Sequence, residues 1–346
     1  TLTKYFTPIP LQNPDSAWDV LKPALKGKKL FLFGESHGVG CNLTLQLSLL
    51  KYLHKYAGVR YLILEDSPSV AYLYNLYLKT GKLTYLKHTD YAYFREDRTF
   101  WHGLYQFNKS LPLKERVQVL GVDIPDEDAF MAVLSILFTR YQINLDQLPN
   151  LSKIQEQIGK RKNTSTKAIR TLRRLLRKGS RKYPLLYQKI FGKDYWFLQY
   201  MVHNRLSDLE SKQRDRQMVE NLIQLRQKFI KGNYMGIFGG YHIKLFTRKR
   251  NMLWFLKHDT IWYDKIQTFQ TQYYKVEAMS YREARFFDHM GMFYKMYKWG
   301  IKEEKIVSWL SSKTSEAVTL IPLKPLLEVF GLQNQLKDYL LFIQNQ

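Results

Sequence analysis

Four short apolar runs stand out along the chain, and each closes on an acid or a histidine. They are Lys29 to Gly34 (KLFLFG), Tyr61 to Leu64, Gln118 to Val122 and Asn233 to Phe238. Runs of this length without alternation, bounded by glycine or polar residues, describe inner strands covered on both faces. Between the first two, Asn42 to Tyr56 carries Leu43, Leu47, Leu50 and Leu53 at helical spacing, with Gly58 placed to end the helix. A strand–helix–strand unit of this kind is normally a right-handed parallel crossover. Further helices are predicted around Ser16 to Lys26, from Pro68 to Gly81, Phe100 to Lys109, Asp126 to Tyr141 and Asp208 to Ile230. Past Thr260 the apolar and polar residues alternate, which predicts two strands, IWYDKIQTF and an edge strand QYYKVEAM. A strand over Ala317 to Ile321 and a helix over Gln333 to Ile343 complete the pattern. The fold class is α/β: a mostly parallel central sheet flanked by helices, with a basic helical insertion or cap.

That insertion is visible as a change in composition. Residues 151–182 hold twelve Lys or Arg and a single acid, Glu156, and so supply +11 of the chain's +24. Within them, TKAIRTLRRLLRK puts Ile169, Leu172, Leu175 and Leu176 on one face and arginines on the other. Residues 1–140 are expected to form the first part of the core, 141–205 the insertion, and 206–346 the remainder. A helix this basic can lie on an anionic surface, or can simply present charge to solvent above an ordinary helix contact.

Composition narrows the function only broadly. The chain has 346 residues, 45% of them apolar, enough for a large core. The positive balance favours anionic partners such as nucleic acid, lipid headgroups or acidic polymers without singling one out; the partner expected is a small-molecule or anionic substrate, with nucleic acid the weaker candidate. Cys41 is the one cysteine, so no intrachain disulfide forms. No apolar run is long enough to span a membrane. The sequence starts Thr-Leu-Thr-Lys without methionine, which points to removal of an upstream segment; export after such a cut is one explanation.

The chemistry is expected at the strand ends. In open α/β sheets ligands bind outside the carboxyl ends of the strands. If the four runs are parallel neighbours, one crevice collects Glu35, His37, Glu65, Asp123 and His242. His37 follows Glu35 by two residues in a glycine-flanked turn, so a carboxylate can fix the tautomer of a general base. Asp66 can instead cap the helix that Ser67-Pro68 opens, whereas Glu65 has no such duty. Asp126 and Glu127 can cap the next helix, which leaves Asp123 for the cleft. His242 follows Gly239-Gly240-Tyr241, where glycines allow close backbone approach, and Tyr241 is a candidate substrate contact. Arg214, in a helix before the fourth strand, can hold an anionic group or form a surface ion pair. No HExxH, CxxC, Walker loop or GxSxG occurs.

Four motifs in this order, FGESHG, YLILED, RDRQMVENL and GIFGGYHI, resemble the erythromycin esterase superfamily with its haem-uptake (ChaN-like) and Tiki relatives. The resemblance covers about residues 29 to 245. It implies that Glu35 and His37 correspond to the family's glutamate and general-base histidine. It likewise implies that Glu65 is the second strand-tip glutamate, Arg214 and Asp215 the arginine–aspartate pair, and His242 the later histidine. A single residue separates Glu35 from His37, as in the haem-uptake and Tiki branch. Gly239-Gly240 stands where the esterases have His-Asn, and VGCNLTLQL where they have an arginine and a glutamate.

The expected activity is attack of water on an ester, lactone or amide, with His37 as base and Glu35 and Glu65 orienting it. His242 and Arg214 are expected to support the developing oxyanion, and no cofactor is required. Two alternatives stand beside it. A divalent metal can bind Glu35, His37, Glu65 and His242 and supply the nucleophile. A non-catalytic protein can bind haem or another anionic ligand.

Overall fold

The structure, a computed structural model, describes residues 7–10, 17–89, 95–143, 166–204, 211–244, 250–274, 318–322 and 339–344. Its strands are β1 (Thr7–Pro8), β2 (Leu30–Glu35), β3 (Val59–Leu64), β4 (Gln118–Gly121), β5 (Asn233–Gly239), β6 (Ile266–Tyr274), β7 (Val318–Pro322) and β8 (Tyr339–Gln344). They form one sheet in the order β1-β7-β8-β6-β2-β5-β3-β4. From β8 to β4 every pairing is parallel, and β7 and β1 add on antiparallel at one side. The four expected strands are therefore consecutive parallel neighbours, and their ends lie level. Glu35 pairs with Gly239, Leu64 with Ile237 and Leu64 with Gly121.

The uninterrupted apolar character of these strands follows from cover on both faces. Phe31, Phe33, Leu62 and Met235 point into one hydrophobic cluster, while Leu30, Leu32, Ile63 and Tyr234 point into the other. Period-two alternation thus distributes one apolar run between two cores. The first cluster is closed by α2 (Cys41–Ala57), α3 (Pro68–Thr80) and α5 (Glu127–Arg140), which follow α1 (Lys22–Leu25) in the chain. α4 (Arg95–Ser110) packs over α2 and α3. The second is closed by the later helices: Met218, Leu222 and Leu225 from one, Met252 and Leu256 from another. Full burial of Phe31 or Phe33 contributes roughly 1.5–3 kcal/mol apiece.

Local signals set the helix ends. Gly58 and Gly81 end α2 and α3 in the left-handed region, at φ 64° and 72°. Ser67, not Asp66, caps α3, accepting from the Val70 N–H at 3.2 Å. Asp126 caps α5, accepting from the Ala129 N–H at 2.6 Å.

Of the basic segment, residues 144–165 lie outside the described residues. The rest forms α6 (Thr166–Lys182), α7 (Pro184–Phe191) and α8 (Tyr195–His203). Ile169, Leu172 and Leu176 of α6 are buried within the same cluster as Phe31 and Phe33. The remaining helices are α9 (Ser211–Lys228), α10 (Gly240–Ile243) and α11 (Met252–Lys257).

Three expectations for the last part of the chain need correction. The IWYDK half of the first late run is a turn that buries Trp262, and the strand begins at Ile266. It continues through Tyr274 as β6, an inner strand between β2 and β8, so Gln272 to Tyr274, the start of QYYKVEAM, belong to β6 and not to a separate edge strand; residues 275–279 lie outside the described residues. The stretch read as a helix to Ile343 contains β8, which pairs with β6 and β7; residues 333–338 lie outside the described residues. Long-range pairing overrides local preference there.

Candidate functional site

The strand ends bring all the expected side chains into one cluster. Glu35 is the last residue of β2, and His37 lies just beyond it in the turn to α2. The Glu35 Oε1 and His37 Nδ1 atoms are 2.9 Å apart. The other carboxylate oxygen accepts from Gln46 at 2.5 Å and from Asn42 at 3.4 Å, both on the inner face of α2. Glu35 is thus fixed on one side by α2 amides and presents its second oxygen to His37. The His37 side chain is 54% exposed. Its Nε2 makes no hydrogen bond among the described residues.

Glu65 follows β3 and is the hub of the second half. Its Oε1 lies 2.9 Å from Arg214 Nη2 and 3.0 Å from His242 Nε2. Its Oε2 accepts from the Gly239 N–H at 2.7 Å. Asp123 takes Arg214 in a bidentate grip, with Nε to Oδ1 at 2.8 Å and Nη2 to Oδ2. Asp215, buried next to Arg214 on α9, binds His242 Nδ1. Both ring nitrogens of His242 are therefore occupied by carboxylates. Arg214 still has Nη1, which makes no hydrogen bond among the described residues, and its side chain is 29% exposed.

Backbone packing fixes the spacing. The Asp123 N–H donates to the Asp66 carbonyl at 2.9 Å. A Cβ on Gly121 would stand 2.2 Å from the Ser67 carbonyl oxygen, so only glycine lets β4 meet the β3 turn. Asn204, at the end of α8, donates to the Asp123 carbonyl at 2.6 Å. A Cβ on Gly239 would stand 2.9 Å from His37 Nε2 and 3.3 Å from Glu65 Oε2. These two atoms border the same small space above Gly239. Tyr241 is exposed, its ring edge-on to His242 with centroids 6.0 Å apart. Asn251 ties that turn down by donating to the Tyr241 and Lys244 carbonyls.

The charges explain the proton affinities. His37 is raised to about 9, chiefly by its hydrogen bond to Glu35, against the opposing effect of burial. Burial alone would raise Glu65, but the hydrogen bond and charge of His242 and the charge of His37 outweigh it and hold the carboxyl at about 2. Burial likewise opposes charge on His242, yet Asp215 and Glu65 raise it to about 9. The Arg214 pKa is pushed further up by Asp123, against burial. Among the described residues no group of three or more His, Cys, Asp or Glu side chains is arranged to hold a metal ion.

Sequence reasoning selected Glu35, His37, Glu65, Asp123, Arg214, Tyr241 and His242, and all seven lie around this cluster. It did not select Gln46, Asn42, Asn204 or Asn251. Asn42 and Gln46 were legible in principle, because two amides four residues apart on the inward face of an apolar helix need an internal partner.

No protein-family model and no curated protein matches this sequence. Solved structures share its fold. A Bacillus cereus protein superposes with a TM-score of 0.67 at 15% identity, over 99% of this chain and 95% of its own. A succinoglycan biosynthesis protein does so with 0.65 at 14%, over 99% and 95%. A mutant of erythromycin esterase EreC in its open conformation gives 0.51 at 13%, over 78% and 77%. The chain thus has an α/β fold shared with erythromycin esterase. Identities this low speak for architecture alone.

Proposed function

We propose that this protein is a hydrolase that adds water to an ester, lactone or amide carbonyl, with His37 as the proton-transferring group. One observation carries the reading: a carboxylate-bound imidazole on a half-exposed side chain, whose second nitrogen makes no hydrogen bond among the described residues. With Nδ1–H donating to Glu35, the neutral ring keeps its lone pair on Nε2. That lone pair takes a proton from water as the water oxygen bonds to the carbonyl carbon. The carbonyl oxygen gains the negative charge, and Arg214 Nη1 donates to it. Collapse of the intermediate expels the alcohol or amine, which takes the proton back from His37.

His242, Asp123 and Asp215 act here as positioning residues, because His242 is already committed to Glu65 and Asp215, and Asp123 to Arg214. Tyr241 lies at the mouth as a substrate contact. The step needs neither haem nor metal. A cation held by Glu35, His37, Glu65 and His242 would have to displace the Glu65–His242 hydrogen bond.

The test is a panel of esters, lactones and amides assayed with wild type and His37→Ala, with and without chelator. The reading expects hydrolysis that survives chelation and falls about 10²–10⁴-fold in the variant. Equal rates for the two proteins would overturn it, and activity abolished by chelator and restored by a divalent cation would replace it with metal-dependent hydrolysis.

A further inference from the structure

A cavity lies along the β4 edge of the sheet, lined by none of the strand-tip side chains. Its volume is about 420 Å³, within the range of small-molecule sites, about 300–1,000 Å³. Among the described residues β4 is the last strand of the sheet, and the cavity occupies the slot beside it, between α3 on one side and α8 with the end of α9 on the other. A further strand would lie here. The outer edge of the β4 segment, however, is already satisfied by side chains. Asn108 exchanges two hydrogen bonds with the backbone of Val117, both at 2.8 Å. Asn75 does the same for Val119, at 2.7 and 2.9 Å. Tyr200 donates to the Gly121 carbonyl at 2.7 Å. An added polypeptide strand would find these partners taken, which argues against peptide docking by strand addition.

What the slot offers is an apolar body and a cationic rim. Tyr72 and Phe197 stack at 4.4 Å, and Trp196 stacks on Tyr200 at 5.3 Å and meets Phe229 edge-on at 5.5 Å. Lys79, Arg116, Lys193 and Lys228 also line it, against one acid, Asp194. Asp194 is engaged by Arg140 and Tyr141. Among the described residues Lys79, Lys193 and Lys228 have no carboxylate partner. Lys228 stands over the Trp196 ring at 5.7 Å.

We propose that this slot binds an amphiphile with an apolar chain and a single anionic head, a carboxylate or a phosphate monoester. The chain lies against the aromatic wall and the head meets the lysines. The site is independent of the strand-tip chemistry.

Brominated dodecanoate, a contact quencher of tryptophan, provides the probe on the full-length protein. The expected result is saturable quenching, with most of the amplitude lost in Trp196→Phe. Competing alkanoates should tighten by about fourfold per methylene from octanoate to dodecanoate. Lys193→Glu/Lys228→Glu, and separately Lys79→Glu, should weaken binding tenfold or more while leaving the far-ultraviolet circular dichroism unchanged. Dodecanoate against dodecyl phosphate tells a fatty acid from a phosphate ester. Quenching that never saturates, that persists undiminished in Trp196→Phe, or that the methyl ester of dodecanoate displaces as well as the acid would overturn the proposal.

Discussion

Replacing Glu35 by glutamine leaves the side chain's shape and removes its charge. In the wild type the Glu35 hydrogen bond is the largest influence on His37 and, with the Glu35 charge, raises it to about 9. Without that carboxylate, burial and the charge of His242 push the imidazole down, and only Glu65 pushes it up. These remaining influences oppose one another, so the midpoint should return to about 7 or below. At pH 7 about one wild-type imidazole in a hundred is neutral, against roughly half in the variant. Titration of the histidine Cε1–H resonances measures this without any substrate, with His37→Ala supplying the assignment. A wild-type midpoint near the ordinary histidine value, or a Glu35→Gln midpoint still near 9, would refute the claim that Glu35 controls His37. The linkage follows the same sign. A raised histidine adds stability that is complete below its unfolded value and is lost as pH climbs through about 9.

Three further outcomes are expected. Gly239→Ala introduces a Cβ against two side-chain ends, at an ordinary backbone φ of −52°; the urea midpoint should barely change while hydrolysis falls about tenfold or more, and a large stability loss would contradict this. Asp123→Ala removes both of the Arg214 hydrogen bonds to that carboxylate and should cost about 3 kcal/mol in urea unfolding, whereas a loss below about 1 kcal/mol would mean the pair is dispensable. The melting temperature should be highest between about pH 4.5 and 6.5. Glu65 stabilises above its unfolded value and loses this as pH falls through about 2, while His242 stabilises below its unfolded value and loses this as pH rises through about 9. Calorimetry of His242→Gln should show the alkaline slope reduced; an unchanged slope would assign it elsewhere.

Much of this site was legible in the chain because strand ends are set by short-range signals. A buried run that stops on Glu35 or Glu65 leaves a carboxylate at the edge of the sheet whatever the rest of the fold does. The helix stops at Gly58 and Gly81 are local in the same way. The misreadings came where partners decide. β8 becomes a strand because β6 and β7 lie on either side of it, and nothing within the segment encodes that. The choice of Ser67 over Asp66 as the α3 cap depends on a single residue of register. The grip of Asp123 on Arg214 spans 91 positions, and the two were read as separate candidates because side-chain pairing at that distance has no sequence period. Asn75 and Asn108, which seal the outer edge beside β4, were invisible for the same reason.

The central claim is that a neutral His37 accepts the proton from water, and the pH dependence of kcat/KM on a hydrolysed substrate tests it most directly. The account predicts a rise of about tenfold per pH unit from pH 7, levelling near 9, with that rise absent from whatever activity His37→Ala retains. A flat wild-type profile across this range, or the same slope in His37→Ala, would contradict it.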